Sequence, residues 1–498
     1  MSAVDGSGLG TNSGEPVDLG GSRRIHIVGV GGAGMSAIAE ILATMGHQVT
    51  GSDLKDGPTV QRLQGLGLTV SVGHRAANVG SAELVAISSA IPAGNAEVSA
   101  ARAAGIDVVR RADVLAALCR LRATVAVAGT HGKTTTSSML ALILVEAGVQ
   151  PSFLIGGDLN EIGSGAAWDV GQHFVVEADE SDGTFLQLDP FVSVVTNVEP
   201  DHLDHYGSYQ NVRAAFGQFV ASTAAVAVVG IDGPDGAALA VAASANPLGT
   251  ASPDSQPETD AGAPRVVTFG EHPDADYRMV DVTSARDGVS WRLLAGGRDL
   301  GLLSLPIMGR HNAANATAAT AAALELGLPM DAAVRALARF AGVARRLQFR
   351  GEAGGVTFID DYAHLPSEVA AALAALRSGG WSRLVAVFQP HRYSRIEAVG
   401  TEFRDSFVDA DVAVLTEIYA AGERPRPGIT GRLVANAVID AHPWRVAAYL
   451  PHRRDLVTYL LATLRPGDCC VTLGAGDLTS LPDEVQAALR ARAGGAGR

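Results

Sequence analysis

The stretch VAVAGTHGKTTTSS, residues 125–138, decides the fold of the central part of the chain. An apolar run enters a turn with two glycines, and a lysine and a series of hydroxyl residues follow. A strand, a glycine turn and a helix in this order form a phosphate-binding loop, because backbone N–H groups at the helix start face the phosphate oxygens. Lys133 is placed to reach the β and γ phosphates of a nucleotide, and the Thr134 hydroxyl is placed to bind Mg²⁺. The strict pattern has glycine where this chain has Val127, but the working residues are present.

Another glycine turn, the first along the chain, lies near the N-terminus at residues 29–34, where the apolar run 25–30 ends. It fits G-x-G-x-x-G, and Asp53 follows Gly34 by nineteen residues. This pattern leaves three alternatives open: NAD or FAD, another nucleotide diphosphate, or a purely structural turn. Together with the phosphate loop, it favours a protein that holds two nucleotides, one as fuel and the other as a carrier attached to the substrate.

Strand and helix patterns alternate along the 498 residues, which predicts α/β architecture with parallel sheets. A chain of this length exceeds one hydrophobic core and suggests about three domains. We predict a Rossmann-like N-terminal domain, a P-loop ATPase-like central domain and a Rossmann-like C-terminal domain. The predicted bounds are a flexible tail at 1–21, then domains at 22–120, 121–342 and 343–498, with an exposed loop at 242–264 and a hinge at 341–352.

Composition excludes several classes of protein. The net charge of -14 argues against a general nucleic-acid or membrane-surface binder. The three cysteines, Cys119, Cys469 and Cys470, fit neither a disulfide framework nor a zinc site and are interpreted as small buried residues. The N-terminus lacks the apolar segment of a signal peptide, and no apolar run approaches the ~20 residues that span a bilayer. We therefore expect a cytoplasmic protein with no membrane insertion.

Charged residues cluster after several predicted strands. Glu177 ends the apolar run of VVEADESDG, where P-loop enzymes place a magnesium-binding carboxylate. His202 follows the next strand among several carboxylates and is interpreted as a second metal ligand. The segment FQPHRYSR, residues 388–395, forms a basic crevice suited to a small carboxylate, with an exposed basic face as the alternative. Arg346 is a candidate for stabilising a transferring phosphoryl group.

Seven segments occur in a fixed order: GVGGAGMSAIAE, GTHGKTTT, EADESD, NVEPDHLDHY, GRHN, DDYAH and FQPHRYSR. In this order they resemble the Mur ligases, over roughly residues 22–480. The resemblance implies ATP and Mg²⁺ as cofactors, with Mn²⁺ as a substitute. Its first and last segments point to the branch that joins L-alanine to the lactyl carboxylate of UDP-N-acetylmuramate through an acyl phosphate, in peptidoglycan synthesis. A monomer or homodimer is expected.

The resemblance also implies roles for individual residues. The catalytic set is Lys133, Glu177, His202 and Arg346, and the metal set is Thr134, Glu177 and His202. ATP is bound by Gly129, Thr130, His131, Gly132, Lys133, Thr134, Thr135, Thr136, Asn312, Asn315, Arg346 and Asp361. The UDP-sugar is bound by Gly32, Gly34, Ser52, Asp53, His74, Ser88 and Ser89, and alanine by Tyr362, His364, His391, Arg392 and Arg395. By themselves, Asn312 and Asn315 are equally consistent with helix capping.

Three positions depart from the family pattern: Ala363 and Leu365 replace a glycine and a histidine, and Leu347 replaces an aromatic residue. Three alternative functions are weighed against alanine addition. The first is a recycling ligase that joins a ready-made peptide to the same UDP-sugar. The second is an NAD-dependent oxidoreductase, and the third is a non-catalytic nucleotide-binding regulator.

Overall fold

The computed structural model describes residues 15–88, 90–159, 161–245 and 263–495. The chain divides into two compact units. The first unit comprises Met1–Val198, Arg213–Thr268 and Ala318–Ala332, and the second comprises Glu199–Val212, Phe269–Thr317 and Ala333–Arg498. Each unit is described by itself.

The first sheet belongs to the first unit and consists of five parallel strands in the order β3-β2-β1-β4-β5. Its strands are β1 (Arg24–Val28), β2 (Gln48–Asp53), β3 (Thr69–Val72), β4 (Leu84–Ile87) and β5 (Asp107–Arg110). The helices are α1 (Ala33–Thr44), α2 (Pro58–Gly65), α3 (Ala96–Ala103) and α4 (Arg111–Arg120). Because β1 lies between β2 and β4, the glycine turn that leaves β1 opens at the point where the strand order reverses, which is where ligands bind in such sheets.

The second sheet of the first unit has the order β12-β11-β10-β6-β9-β7-β8. Its strands are β6 (Ala123–Ala128), β7 (Ser152–Leu159), β8 (Ser164–Ala167), β9 (His173–Glu177), β10 (Val192–Val195), β11 (Val226–Gly230) and β12 (Arg265–Gly270). The helices of this stretch of chain are α5 (Lys133–Glu146), α6 (Leu203–Tyr206), α7 (Tyr209–Ala221) and α8 (Pro234–Ala245). Since β6 is flanked by β9 and β10, the residues that follow both neighbours lie beside the phosphate loop.

After β12 the chain forms two antiparallel hairpins that the sequence analysis did not predict. They comprise β13 (Tyr277–Ala285), β14 (Gly288–Ala295) and β15 (Arg298–Leu305), and α9 (Arg310–Glu325) and α10 (Met330–Ala338) follow. Trp291 of β14 is fully buried and anchors this sheet.

The C-terminal sheet has the order β16-β17-β21-β18-β19-β20, with only β16 antiparallel to its neighbour among the described strands. The strands are β16 (Gln348–Ala353), β17 (Val356–Asp361), β18 (Arg383–Phe388), β19 (Val412–Leu415), β20 (Val446–Tyr449) and β21 (Asp468–Leu473). The helices are α11 (Pro366–Arg377), α12 (Tyr393–Val399), α13 (Arg432–Ala441), α14 (Arg453–Thr463) and α15 (Leu481–Gly495). Apolar side chains pack on both faces of this sheet, which explains its nearly continuous apolar strands.

The structure bears on three local expectations. Within the predicted tail, Val17 and Leu19 are buried, and Arg120 donates to the Val17 carbonyl, so the chain is packed before residue 22. The predicted loop 242–264 begins with the last turn of α8, and its residues 246–262 lie outside the described residues. The predicted hinge 341–352 contains most of β16.

One other expectation about the chain is confirmed. All three cysteines are buried, as predicted, and burial raises the pKa of the Cys119 thiol to about 12. Among the described residues, no helix combines the length and the apolar character that a bilayer-spanning segment needs.

Candidate active site

The phosphate loop joins β6 to α5 and has a backbone that only glycine can adopt at its first turn. Gly129 has a φ of 135°, a conformation that side chains rarely adopt. A Cβ atom there would lie 2.0 Å from Thr196 Oγ1, closer than any two such atoms can approach. Gly132 is the N-cap of α5, so Lys133, Thr134, Thr135 and Thr136 form the first turn of that helix. The free N–H groups of this turn suit an anion.

Two residues after β10 hold the loop in place, and the sequence analysis missed both. The Asn197 side chain accepts from His131 N at 2.9 Å and donates to the His131 carbonyl at 3.1 Å. The Asn197 carbonyl accepts from Thr130 N at 3.2 Å, and the Thr196 hydroxyl donates to the His131 carbonyl. The signal was present, since TNV ends the strand beside β6, but the prediction assigned that segment only to metal binding.

Lys133 is held by acceptors from within the first unit. Its ammonium donates to the Gly129 carbonyl at 2.7 Å and to Glu180 Oε1 at 2.9 Å. Burial disfavours the ammonium, but the carboxylates of Glu180, Asp179 and Glu177 outweigh burial and raise the pKa of Lys133. The lysine is therefore charged at neutral pH, as phosphate binding requires. It is one of two lysines in the chain, the other being Lys55.

Thr134 and Glu177 come together at the carboxyl ends of β6 and β9. The Thr134 hydroxyl donates to Glu177 Oε1 at 3.0 Å, and Gly156 N donates to Glu177 Oε2 at 2.8 Å. Burial raises the pKa of Glu177, although Lys133 and these hydrogen bonds oppose the shift. Glu177 and Asp179 also line a cavity of about 430 Å³ that reaches Gly34.

The donor set at this point fits Mg²⁺. A hydroxyl and a carboxylate are hard oxygen ligands, and Mg²⁺ uses one or two carboxylates together with phosphates and water. Within the described residues, no group of three or more His, Cys, Asp or Glu side chains forms a metal site by itself. The protein thus offers a partial ligand set, which suits an ion that arrives with a nucleotide. His202 belongs to the second unit and contacts Asp201 there.

The first glycine turn is held mainly by the end of β2. Gly29 N and Val30 N donate to the Ser52 carbonyl at 2.8 and 3.0 Å, and Gly31 N donates to Asp53 Oδ2 at 2.9 Å. The other oxygen of Asp53 accepts from Lys55 N. Asp53 therefore holds the turn directly, through its hydrogen bond with Gly31 N.

The remaining residues predicted for the UDP-sugar are spread around this turn. The Ser52 hydroxyl lies 3.0 Å from His74 Nδ1. Gly32 is the N-cap of α1, and a Cβ at Gly34 would lie 3.2 Å from the Arg111 guanidinium. Ser88 lines a cavity of about 440 Å³ together with Arg111 and Asp182. Ser89 lies outside the described residues.

In the second unit, the structure brings together the residues predicted for alanine. The Tyr362 and His364 rings are 5.5 Å apart, the His364 and His391 rings 5.8 Å, and Arg395 Nη1 lies 3.1 Å from His391 Nδ1. Burial lowers the pKa of His391 to about 3, and the charges of His364 and Arg395 contribute to this shift. Burial lowers the pKa of His364 to about 4. Both imidazoles are therefore neutral at pH 7, and the arginines supply the positive charge.

Asp201 pairs with Arg395, a contact that the sequence analysis did not foresee. Arg395 donates to both Asp201 oxygens at 3.1 to 3.2 Å, and each side chain is 10% exposed. Burial would raise the pKa of Asp201, but Arg395 and His202 outweigh burial and lower it. The Arg392 Nε atom is buried and has no hydrogen-bond partner among the described residues, which makes it a candidate donor to a bound carboxylate.

The predicted ATP contacts of the second unit occupy two places. Asp361 ends β17 and accepts from Leu347 N and Ala363 N at 2.7 Å each, and burial raises its pKa to about 6. The Arg346 guanidinium lies 5.4 Å from the Tyr362 ring centroid and 3.5 Å from Glu368. Asn312 and Asn315 are buried on α9, and the Asn312 side chain donates to the Met308 carbonyl at 2.8 Å.

The departures from the family pattern have a structural explanation. Leu365 is 3% exposed and Ala363 1% exposed, and both belong to the apolar cluster between α11 and the C-terminal sheet. Leu347 packs against the same cluster. These substitutions extend the core and leave His364 in its cluster.

A glycine loop with a buried lysine, a hydroxyl and a strand-end carboxylate defines a nucleotide-binding α/β enzyme of the P-loop type. The chain belongs to the Mur ligase family. Three family models match it, described as "Mur ligase family, catalytic domain" at residues 24–123, "Mur ligase middle domain" at 127–323 and "Mur ligase, glutamate ligase domain" at 345–476. The prediction of an ATP-dependent ligase with three consecutive α/β domains is thereby confirmed, while the exact domain bounds stay a prediction.

Curated relatives extend the similarity over nearly the whole chain. A protein of Pelotomaculum thermopropionicum named UDP-N-acetylmuramate--L-alanine ligase is 43% identical over 93% of this chain and 97% of its own length. A protein of the same name from Bradyrhizobium sp. (strain ORS 278) is 44% identical over 93% of this chain and 98% of its own. The crystal structure of UDP-N-acetylmuramate-alanine ligase MurC from Thermotoga maritima aligns with a TM-score of 0.74 and 26% identity, covering 94% of this chain and 100% of that one.

Proposed function

We propose that this protein joins L-alanine to the lactyl carboxylate of UDP-N-acetylmuramate, with conversion of ATP to ADP and phosphate. Relatives named for this reaction are more than 40% identical over 93% of the chain, and this similarity is the observation that carries the proposal. The Lys133 loop and the cluster around His391 and Arg395 are the chemistry such a reaction needs.

The first step brings two anions together. An oxygen of the lactyl carboxylate attacks the γ-phosphorus, the bond to the bridging oxygen of ADP breaks, and an acyl phosphate results. The charged Lys133 offsets the repulsion between carboxylate and triphosphate, and it stabilises the negative charge that develops on ADP. Arg346 has the same role at the transferring phosphoryl group. Mg²⁺, when bound through Thr134 and Glu177, supplies further neutralisation of phosphate charge.

The nucleotide contacts are assigned residue by residue. The residues from Gly129 to Thr136 surround the phosphates, with helix N–H groups as donors. Asn312 and Asn315 are assigned to the adenine side and Asp361 to the ribose. His202 is assigned to a second metal ion, and Mn²⁺ is expected to replace Mg²⁺.

The second step forms the amide. The uncharged amine of alanine attacks the acyl carbonyl carbon, the carbon–oxygen bond to phosphate breaks, and the departing phosphate takes up the proton that the amine nitrogen loses. Arg392 and Arg395 bind the alanine carboxylate, while Asp201 keeps the Arg395 guanidinium oriented. Tyr362, His364 and His391 line the pocket, and the neutral imidazoles make it selective for a small amino acid over an acidic one.

The UDP-sugar is assigned to the first glycine turn. Gly32, Gly34, Ser52, Asp53, His74, Ser88 and Ser89 are the proposed contacts. The protein is proposed to act in the cytoplasm, where these precursors are made, as a monomer or homodimer.

Phosphate release from ATP tests the proposal. The purified protein is incubated with Mg²⁺-ATP, UDP-N-acetylmuramate and one amino acid or peptide at a time. The molecular mass of the product is measured by mass spectrometry. We expect phosphate release only when the UDP-sugar and L-alanine are both present, with a product heavier by one alanyl residue. Release with a tripeptide and not with alanine would instead support a recycling ligase, and no release with any pair would support a non-catalytic nucleotide binder.

A further inference from the structure

A fully buried carboxylate lies behind the first glycine turn. Glu97, in the first turn of α3, is 0% exposed. An ionised carboxylate in such a place is strongly unfavourable unless hydrogen bonds surround it. Glu97 was not among the residues that the sequence analysis singled out, because one glutamate in a short helix carries no pattern.

Hydrogen-bond donors converge on Glu97 from two segments of the chain, the end of β2 and the loop after β3. The Ser52 hydroxyl at the end of β2 donates to Oε2 at 2.5 Å. Arg75 N and the Asn78 side chain, which follow β3, both donate to Oε1. His74 Nδ1 lies 3.3 Å from Oε2. Burial would raise the pKa of Glu97, but the hydrogen bonds from Ser52, Asn78 and Arg75 N outweigh burial and lower it, so the group is anionic at neutral pH.

The carboxylate determines where the neighbouring protons lie. An ionised carboxylate can only accept hydrogen bonds, so the Ser52 hydroxyl donates its hydrogen bond to Glu97. Its oxygen lone pairs then face His74. His74 Nδ1 lies 3.0 Å from that oxygen and 3.3 Å from Glu97 Oε2, and both are acceptors. Nδ1 must therefore carry a proton, which leaves Nε2 as the nitrogen that accepts when the imidazole is neutral.

The same contacts reach the glycine turn. The Ser52 carbonyl accepts from Gly29 N and Val30 N, so the residue that Glu97 holds by its side chain holds the turn by its backbone. Asn78 also donates to the Gly73 carbonyl at 2.9 Å, which anchors the segment that carries His74. One carboxylate thus connects α3, the end of β2 and the loop after β3.

We propose that Glu97 is a positioning residue for the UDP-sugar site: it fixes Ser52 and the Nδ1-protonated form of His74 in the arrangement that binds the nucleotide diphosphate. This inference rests on the proposed function, which places Ser52 and His74 against the UDP-sugar. Glu97 and Ser52 are both 0% exposed, whereas the His74 side chain is 12% exposed. Glu97 therefore acts on the ligand through the His74 imidazole and through the turn that the Ser52 backbone holds.

The test replaces Glu97 by glutamine, which keeps the shape and removes the charge. The amide of Glu97→Gln can present an N–H to Ser52 Oγ, which reverses the direction of that hydrogen bond and removes the reason for a proton on His74 Nδ1. We expect the KM for UDP-N-acetylmuramate to rise about 10- to 100-fold, the range known for outer-layer partners of ligating groups. The kcat and the KM values for ATP and alanine should stay within about twofold.

A matched control separates positioning from helix stability. Asn95 is the N-cap of the same helix and accepts from Glu97 N at 2.8 Å and Val98 N at 3.3 Å. Asn95→Ala weakens α3 but leaves the Ser52 and His74 contacts with the carboxylate in place. If Asn95→Ala raises the KM for the UDP-sugar as much as Glu97→Gln does, the effect is helix destabilisation and the inference fails.

A spectroscopic measurement makes the result independent of catalysis. In ¹⁵N-histidine-labelled, ligand-free protein, the His74 signal is identified by its loss in His74→Gln, and its two nitrogen shifts report which one is protonated. We expect Nδ1-protonated His74 in the wild type and in Asn95→Ala, and a change in Glu97→Gln. The same form in all three proteins would overturn the inference. A wild type that shows the expected form but does not bind UDP-N-acetylmuramate would overturn the proposed function, and with it the ligand assigned here.

Discussion

The two glycine turns of the first unit look alike in sequence but are held by different means. The turn after β6 carries its own charge, because Lys133 and Thr134 stand in the turn and meet Glu180 and Glu177 directly. The turn after β1 has no lysine, and its geometry comes from Ser52 and Asp53 at the end of β2.

The difference shows what each turn can be used for. A turn with a buried ammonium and a metal-binding oxygen pair can stabilise a phosphoryl group in transit. A turn that has no cation of its own and is held by the Ser52 carbonyl and the Asp53 carboxylate can bind a diphosphate at the start of the following helix without acting on it. The first arrangement suits the fuel of a ligase and the second suits the carrier of its substrate.

Removing the positive charge of Lys133 from the turn after β6 should have the largest effect. Lys133→Ala is expected to reduce ligation at least about 1,000-fold, because the step that joins two anions loses its main cation. Binding of UDP-N-acetylmuramate, measured by calorimetry, should stay within about threefold of the wild type. Lys55→Ala, the matched control, should leave the KM for ATP unchanged. Equal loss of UDP-sugar binding in folded Lys133→Ala would contradict the division between the turns.

Adding one methyl group to each turn compares their packing. Gly129→Ala places a Cβ 2.0 Å from Thr196 Oγ1 at a φ of 135°, and we expect more than ~3 kcal/mol of lost stability or complete loss of ATP binding. Gly29→Ala meets the flexible end of Ile91 at 3.1 Å at a φ of 78° and should lower the free energy of unfolding by about 1–2 kcal/mol. Denaturant unfolding measures both, and equal losses would refute the comparison.

Truncating the side chain that holds each turn should raise the KM for a different substrate. Asn197→Ala removes the side chain that holds His131 and should raise the KM for ATP about tenfold. Ser52→Ala removes the hydroxyl between Glu97 and His74 and should raise the KM for the UDP-sugar about tenfold. Each variant should change the other KM by less than about twofold. A rise of both KM values in either variant would show that the turns are coupled.

The smallest effect concerns pH and the network behind the first turn. His26 is buried beside Glu97, His74 and Thr50, and burial lowers its pKa although Glu97 opposes the shift. The folded state therefore binds this proton less readily than the unfolded state, and the stability contributed by neutral His26 is lost as pH falls below its ordinary pKa of 6.5. Thermal unfolding of His26→Gln between about pH 8 and pH 5 should show a weaker pH dependence than the wild type. An equal dependence would remove His26 as the cause.

The sequence was sufficient to predict the two turns and the strands that lead into them, because each is written in consecutive residues. Glycines, a lysine and an apolar strand are local features, and parallel strands place their ends together by a general rule. The same reasoning located Glu177. It missed Asn197, although that residue also follows a strand beside β6, because asparagine has no single chemical role.

Contacts between distant segments were beyond sequence analysis for a physical reason. The Arg395–Asp201 pair joins residues 194 positions apart, and the Glu97 network joins three segments. Such partners are selected by three-dimensional packing and leave no periodic pattern. The hairpins from β13 to β15 were missed because their half-exposed strands alternate only weakly between apolar and polar residues.

The scarcity of lysine gives the ATP loop a reporter of its own. Amine-reactive acylating reagents meet only two side chains in this protein, the exposed Lys55 and the ion-paired Lys133, which is 15% exposed. In Lys55→Arg, the nucleotide loop would carry the sole side-chain amine. Because the pKa of Lys133 is raised, labelling would be carried out at alkaline pH, and peptide masses would then report nucleotide occupancy without any fluorescent analogue.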